Sequence, residues 1–288
     1  MPSLIDLRRR IRSVKNTRQI TKAMKVVSAA KLRRAQDRVL SARPYAQIIQ
    51  RMLANVAQAA SEQHDGETID LLVVRPEKRI QLLVITADRG LAGAFNSNVL
   101  KAALKFIQDH KDAEVQLELI GRKSRDFFKK RSRNISGEYA GIFQKVVRYE
   151  DALEIAQKVI ERFRKAEIDS VYLVGNNFKS MMASQLVLSR ILPIELPEKQ
   201  EQIDYIYEQP PAELLAALLP RYIESQILRA LLESAAAEHA ARMTAMDSAT
   251  RNAGELIDKL TLQMNKIRQA AITKELIEIV SGATSAIS

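Results

Sequence analysis

The first part of the chain, residues 1–60, carries an apolar pattern typical of a long helix that pairs with another helix. Ser3, with Asp6 three residues later, is typical of a helix start. Pro44 predicts a kink or a restart of this helix. The apolar positions alternate in steps of three and four, the spacing of a coiled-coil seam, at Leu4, Leu7, Ile11 and Val14.

The last part of the chain, residues 211–288, predicts a second long helix. Between Arg221 and Val280 it contains a single glycine, Gly254. Apolar and alanine positions again recur in steps of four and three, for example at Leu228, Leu232, Ala235, Leu256 and Leu260. Each terminal helix is too long for a small globule, so the two are expected to pair with each other as an antiparallel coiled coil.

The middle of the chain, residues 69–210, changes its period and predicts a small α/β domain with a largely parallel sheet. Helices are expected at Asn96–Gln108 and Tyr149–Lys165. Strands are expected at Ile80–Thr86, Val115–Ile120, Val171–Val174, Ser184–Ser189 and Ile203–Tyr207. The domain organisation predicted is therefore a helical segment 1–60, an α/β domain 69–210 and a helical segment 211–288.

The charge is concentrated at the N-terminus. The formal net charge is +11, and residues 1–43 hold 13 basic and 2 acidic side chains, while the rest of the chain holds 32 of each. Such a block favours an acidic partner. The partner could be a nucleic acid, an anionic lipid surface or an acidic protein surface. The alternative without a partner is a solvated helix face.

Composition narrows the chemistry. The chain has no cysteine, which excludes disulfides, thiolate metal ligands and thiol switches. Its three histidines, His64, His110 and His239, are far apart in sequence, so no metal and no cofactor are predicted. No secretory signal and no apolar run of membrane-spanning length is visible. The sequence predicts a cytoplasmic protein, soluble or peripheral on a membrane complex.

One loop has the context of a phosphate-binding turn. Thr86–Asn96 follows a predicted strand and opens a predicted helix, and it contains Gly90 and Gly93. The third glycine and the lysine of the phosphate-binding motifs are missing. A structural turn with Asn96 or Ser97 as helix cap is therefore favoured, and an enzyme with a nucleotide-binding domain ranks third. A basic helical nucleic-acid-binding protein is the main alternative, although its N-terminus has no aromatic residue before Tyr45.

Several long segments together resemble one known family. They are Ile20–Lys31 (ITKAMKVVSAAK), Asp88–Asn98 (DRGLAGAFNSN), Glu238–Thr250 (EHAARMTAMDSAT), Asn265–Glu275 (NKIRQAAITKE) and Ser281–Ala283. In this order they resemble the gamma subunit of F-type ATP synthases from end to end. The resemblance implies an antiparallel coiled coil of the terminal helices with a central Rossmann-like α/β domain, in which the Asp88–Asn98 loop is structural.

The resemblance also implies a role and partners. Family members are the non-catalytic central rotor shaft, one copy per complex, and couple rotation of a membrane c-ring to ATP synthesis on beta subunits. The expected partners are an alpha3beta3 hexamer, the epsilon subunit and the c-ring, on the cytoplasmic face of a bacterial cell membrane. The resemblance places Met24, Lys25, Arg242, Arg268 and Gln269 against the alpha/beta ring. It places Tyr205 and Glu208 at the foot that contacts the c-ring and epsilon.

Overall fold

The computed structural model describes residues 3–62, 69–131, 133–180, 184–196 and 208–287. These residues form five α-helices: α1 Leu4–Glu62, α2 Phe95–Asp109, α3 Arg122–Lys129, α4 Tyr149–Arg164 and α5 Pro211–Ile287. They form five strands: β1 Arg79–Ile85, β2 Glu114–Ile120, β3 Ile135–Tyr139, β4 Ser170–Phe178 and β5 Ser184–Leu192. Within the described residues, no helix is both long and apolar enough to cross a membrane.

The terminal helices match the apolar pattern with three differences. α1 does not restart at Pro44 but continues through it to Glu62. In α5 the seam position predicted at Leu256 is wrong, because Leu256 is exposed and its neighbour Ile257 is buried instead. The strand predicted at Ile203–Tyr207 lies outside the described residues.

Contacts divide the chain into two compact units. A terminal unit contains Met1–Ser28 and Met243–Ser288, and a central unit contains Ala29–Arg242. The two long helices each contribute to both units. The division of the chain into segments 1–60, 69–210 and 211–288 stays a prediction.

In the terminal unit, α1 and α5 pair in opposite directions. Buried Leu7 and Ile11 of α1 pack against Ile257 and Leu260 of α5. Farther along α1, the hydroxyl of Thr21 lies 2.8 Å from the hydroxyl of Thr250. Residue numbers rise along one helix as they fall along the other, so this part of the predicted coiled coil is antiparallel. At the start of α1, Ser3 Oγ accepts a hydrogen bond from the Asp6 amide, as predicted from the sequence.

The central unit is built on a five-stranded sheet of order β3-β2-β1-β4-β5. The pairs β1–β2, β1–β4 and β2–β3 are parallel, and β5 adds antiparallel to β4 at one edge. β1, the innermost strand, is buried from Ile80 to Ile85. A nearly continuous apolar run such as this is expected of a parallel strand that is covered on both faces.

Helices cover both faces of the sheet. Ile80, Leu82 and Leu117 point to the face covered by α2 and α3, in one apolar cluster with Val99 and Phe128. Because side chains alternate along a strand, their neighbours point to the opposite face.

On that opposite face α4 covers a polar cluster. The fully buried Glu118 accepts hydrogen bonds from Lys158 of α4 at 3.0 Å and from Ser136 of β3 at 2.8 Å. Gln81 of β1 also donates to Glu118. A buried carboxylate with several donors fixes the positions of the strands and of α4 relative to each other.

Candidate functional site

The loop after β1 is organised by one carboxylate. Asp88 is 5% exposed and accepts hydrogen bonds from three backbone amides, of Arg122 at 2.9 Å, Gly141 at 2.8 Å and Phe143 at 2.9 Å. These amides come from the start of α3 and from the segment after β3. Asp88 therefore holds three connections together at the carboxyl ends of β1, β2 and β3, and its negative charge would oppose a phosphate in this loop.

The rest of the loop is a tight turn, but it is not capped as predicted. The N-cap position of α2 is Ala94, and no side chain caps it. Asn96 instead accepts a hydrogen bond from the Ala87 amide at 2.9 Å, which pulls the helix start back onto the end of β1. The Ser97 hydroxyl donates to the Ala94 carbonyl at 3.0 Å. The prediction of Asn96 or Ser97 as the helix cap is wrong.

Helix α5 packs directly on this loop within the central unit. Ala237 of α5 belongs to one buried apolar cluster with Ala87, Ala92 and Phe95. Arg242, one turn beyond, is buried and donates to the carbonyl of Gly90 at 3.0 Å and to that of Arg89 at 3.4 Å. The small alanines let the loop approach the helix closely, and the guanidinium of Arg242 donates hydrogen bonds to the carbonyls of the loop.

Arg242 also has a buried acidic partner. Its guanidinium lies 2.7 Å from the carboxylate of Glu238, one turn earlier on α5. Burial raises the pKa of Glu238, and the charge of Arg242 opposes this shift. Burial, with the charges of Arg242 and Lys31, lowers the pKa of the adjacent His239 to about 4. At neutral pH the His239 ring is therefore uncharged.

The structure places Met24 and Lys25 in the terminal unit, half-buried on α1. Lys25 is engaged with its own chain, since its ammonium lies 2.6 Å from the carboxylate of Asp247 on α5. The hydrogen bond from Lys25 lowers the pKa of Asp247.

Arg268 and Gln269 are exposed on α5, also in the terminal unit. Glu208 is exposed just before α5, and Tyr205 lies outside the described residues. Arg242 differs from these residues, because it is buried in the central unit with partners in its own chain. The contact of these residues with other subunits stays a prediction.

The sequence did not predict the role of Asp88 as the shared acceptor of three backbone amides, called the Asp88 hub below. Its three amide partners lie 34 to 55 residues away along the chain, and nothing local marks them. The available signal was an acidic residue directly after a buried strand, at the sheet edge where loops meet. The ion pair of Glu238 with Arg242 does have a local signal, because the two residues are four positions apart on a predicted helix.

Comparison with known proteins gives matches along the whole chain. A family model described as ATP synthase matches residues 3–286. The ATP synthase gamma chain of Solibacter usitatus (strain Ellin6076) is 60% identical over 286 residues, which cover 99% of this chain and 100% of the relative. That of Pelotomaculum thermopropionicum is 51% identical over 288 residues, 99% of each chain.

Solved structures agree with this. A chain of the Tetrahymena thermophila mitochondrial ATP synthase, from its central stalk and c-ring, aligns with TM-score 0.61 and 26% identity over 80% of this chain and 99% of its own. A chain of the Euglena gracilis mitochondrial ATP synthase rotor aligns with TM-score 0.66 over 93% of this chain and 98% of its own. At 18% identity the Euglena match shows the fold alone, and it confirms the predicted fold class, α/β with long terminal helices.

The alternative prediction of a nucleic-acid-binding protein finds no support in these matches. High identity over almost the full length of both chains, together with the shared fold, establishes the family. The chain belongs to the gamma chain family of ATP synthase.

Proposed function

We propose that this chain is the central rotor stalk of an ATP synthase, which couples rotation of a c-ring to ATP synthesis and hydrolysis on other subunits. The antiparallel pairing of α1 and α5 in the terminal unit carries the proposal. Leu7 and Ile11 pack on Ile257 and Leu260, and Lys25 pairs with Asp247. A two-helix element of this kind resists bending and presents different side chains around its circumference, as a shaft inside a ring requires.

In this proposal the shaft acts on an alpha3beta3 hexamer and supplies no catalytic group itself. The beta subunits carry the catalytic sites, and the shaft biases each toward a different conformation as it turns. The alpha/beta ring would present acidic loops to the basic N-terminal segment. Exposed ion pairs are worth about 0–1 kcal/mol each, so such contacts break and form again at every step.

The residues proposed to contact the ring lie on both helices. Arg268 and Gln269 are neighbours on the exposed surface of α5. Arginine offers a planar fork of donors and glutamine offers both donor and acceptor, so together they suit a polar loop that is gripped at one angle and released at the next. Met24 and Lys25 are the proposed contacts on α1. Arg242 is proposed to act at the ring as well.

The foot and the location are part of the same proposal. Exposed Glu208, with Tyr205, would contact the c-ring and the epsilon subunit. The complex would hold one copy of the chain, peripheral at the cytoplasmic face of a bacterial cell membrane.

Copurification tests the assembly. The tagged full-length chain, co-expressed with the alpha, beta and epsilon subunits of its own organism, should retain all three at low and moderate salt. Retention of nucleic acid at moderate salt without these subunits would overturn the proposal, because nonspecific binding to phosphates weakens steeply as salt rises.

Arg268→Leu tests the contact with the ring. ATP turnover by the assembled complex should fall, while the helicity and melting of the isolated chain stay nearly unchanged. Lys259→Leu is the matched control, because it removes one positive charge from another exposed position of α5. Equal turnover in both variants and the wild type would remove Arg268 from the mechanism.

A further inference from the structure

The central unit contains a cationic cavity, and three of its four basic side chains belong to the basic N-terminal segment. The cavity has a volume of about 240 Å³ and lies where α1 and α5 face the segment Phe143–Val147. Its lining includes four basic side chains and no carboxylate. The basic residues are Lys31, Arg34 and Arg38 of α1 and Lys145 of the facing segment.

None of these four cations forms an ion pair with a carboxylate of the described residues. No carboxylate oxygen there lies within 4.0 Å of their charged nitrogens. The carboxylate of Glu238 senses the charge of Lys31 but is paired with Arg242. Like charges around one cavity repel each other, and an anion bound among them would reduce this repulsion.

A histidine adds a polar group to this cavity. His239 of α5 lines it, and its Nδ1 is buried without a hydrogen-bond partner among the described residues. A buried polar atom without a hydrogen-bond partner is destabilising, so it calls for an explanation. Since the ring is neutral at pH 7, it offers one donor and one acceptor rather than another positive charge.

Apart from Gln144, the remaining lining is apolar, and the volume limits the size of the ligand. Leu232, Ala235 and Val147 contribute to the walls. All four cations are exposed, so water and salt screen part of their attraction for an anion. Pockets for drug-sized ligands occupy about 300–1,000 Å³, so this cavity suits a small polyatomic ion or one phosphate group of a larger molecule.

We propose that this cavity binds a phosphate-class oxyanion, held by Arg34, Arg38, Lys31 and Lys145. Arginine binds phosphate oxygens through two parallel hydrogen bonds, and lysine adds a point charge. Two sources share this chemistry, free inorganic phosphate and the phosphate chain of a nucleotide. The site lies on this chain itself.

Calorimetric titration of the full-length chain with inorganic phosphate tests the site. We expect saturable binding of phosphate. The double variant Arg34→Gln/Lys145→Gln should lower the affinity by at least about tenfold, because each of its two substitutions removes a charge-assisted hydrogen bond. The matched control is Arg33→Gln/Lys130→Gln, which removes two exposed positive charges that do not line the cavity. The control should change the affinity less than about threefold.

Two further arms separate the sources of the ligand. The first arm titrates the chain with ATP in the absence of Mg²⁺. If ATP binds more tightly than phosphate, and only the cavity variant loses this affinity, the ligand is the phosphate chain of a nucleotide. Phosphate that binds more tightly than ATP assigns the site to the free ion. In NMR spectra, phosphate should shift the His239 imidazole signal of the wild type but not that of the cavity variant.

Three results would overturn the proposal. One is the absence of saturable binding of either probe. Another is equal weakening in the cavity and control variants, which would show diffuse attraction to a basic surface. The third is a polyglutamate peptide that binds the wild type and is not displaced by phosphate, which would assign the cations to an acidic protein partner.

Discussion

The ammonium group of Lys25 on α1 lies 2.6 Å from a carboxylate oxygen of Asp247 on α5, between residues 222 positions apart in the sequence. The hydroxyls of Thr21 and Thr250 meet one turn farther along the same pair of helices. These two polar contacts continue the apolar seam of the terminal unit. They fix which residue of one helix faces which residue of the other, a choice that apolar contacts alone leave less defined.

The ion pair predicts a dependence of stability on acid. The pKa of Asp247 is lowered from its ordinary value of 3.8, so the pair stabilises the fold above that value and the contribution is lost as pH falls through the lowered pKa. Asp247→Asn should remove this loss. The check is urea unfolding of both chains at pH 5 and pH 2.5.

A double-mutant cycle supplies the control. Lys25→Gln should act in the same direction as Asp247→Asn but less strongly, because Asp247 keeps Arg251 at 3.5 Å. The double variant should be no less stable than the Asp247→Asn variant. Because both side chains are more than a third exposed, 1 M salt should reduce the difference. Additive effects of the two substitutions would show that the contact contributes nothing.

The Asp88 hub predicts that a nearly isosteric substitution at this position strongly lowers the free energy of unfolding. Asp88→Asn keeps the shape but replaces one acceptor oxygen by a donor group that faces backbone N–H groups. We expect the free energy of unfolding to fall by about 2–3 kcal/mol, measured by chemical denaturation of the full-length chain. Asp112→Asn, at an exposed position, should change it by less than about 0.5 kcal/mol. Equal effects would contradict the structural role of Asp88.

Two glycines predict opposite effects of the same substitution. Gly121 has a φ of +94°, and a Cβ there would lie 2.0 Å from the carbonyl oxygen of Thr86. Gly121→Ala should therefore destabilise the chain by about 3 kcal/mol or more. Gly254 lies inside α5, where a Cβ would meet nothing closer than Arg18 at 3.8 Å.

Gly254→Ala should consequently raise the free energy of unfolding by about 0.5–1 kcal/mol, because alanine loses less backbone entropy in a helix. Thermal melting followed by circular dichroism measures both variants. A stable Gly121→Ala chain would contradict the close approach of β1 to the start of α3.

The sequence was informative where its pattern is long and periodic. The terminal helices were predicted within a few residues because burial of one face gives them a regular period. The strands β1, β2 and β4 were predicted because they carry short runs rich in aliphatic residues. α3 and β3 were missed. α3 is short and buries only Ser124 and Phe128, while β3, at the edge of the sheet, reads ISGEY with no apolar alternation.

The candidate site was less predictable for a physical reason. The role of Asp88 depends on amides that the fold brings from distant positions. The partner-contact residues depend on subunits that the chain's own pattern does not encode, and only the resemblance to a family singled them out. The wrong cap at Asn96 has the same origin, since the side chain hydrogen-bonds to Ala87 at the end of β1 rather than to its own helix.

His239 predicts a second, separate dependence on pH. Its pKa is lowered from 6.5 to about 4, by burial first and then by Arg242 and Lys31. Between these values the unfolded chain binds more protons than the folded chain, so stability falls as pH falls from 6.5 to 4. At about 1.4 kcal/mol per pKa unit, and allowing for partial solvent access, the loss is about 2–3 kcal/mol.

His239→Gln should flatten the stability profile over this range, as measured by urea unfolding at half-unit steps between pH 7 and pH 4. Between pH 7 and pH 8, where the group does not titrate, the two chains should have parallel profiles. Identical slopes below pH 6.5 would contradict the buried, neutral state of the ring.

The antiparallel pairing of the helix ends has a consequence for how the protein is made. Thr21 and Thr250 are 229 residues apart, so the start of α1 leaves the ribosome long before its partner is synthesised. At about 5–20 residues per second, this interval is roughly 10–50 s. Throughout it Leu7 and Ile11 have no native partner to cover them, and the strands of the central unit are all synthesised before that partner. The terminal unit is therefore the last part of the chain to complete its fold during translation, and the apolar seam of α1 stays uncovered until then.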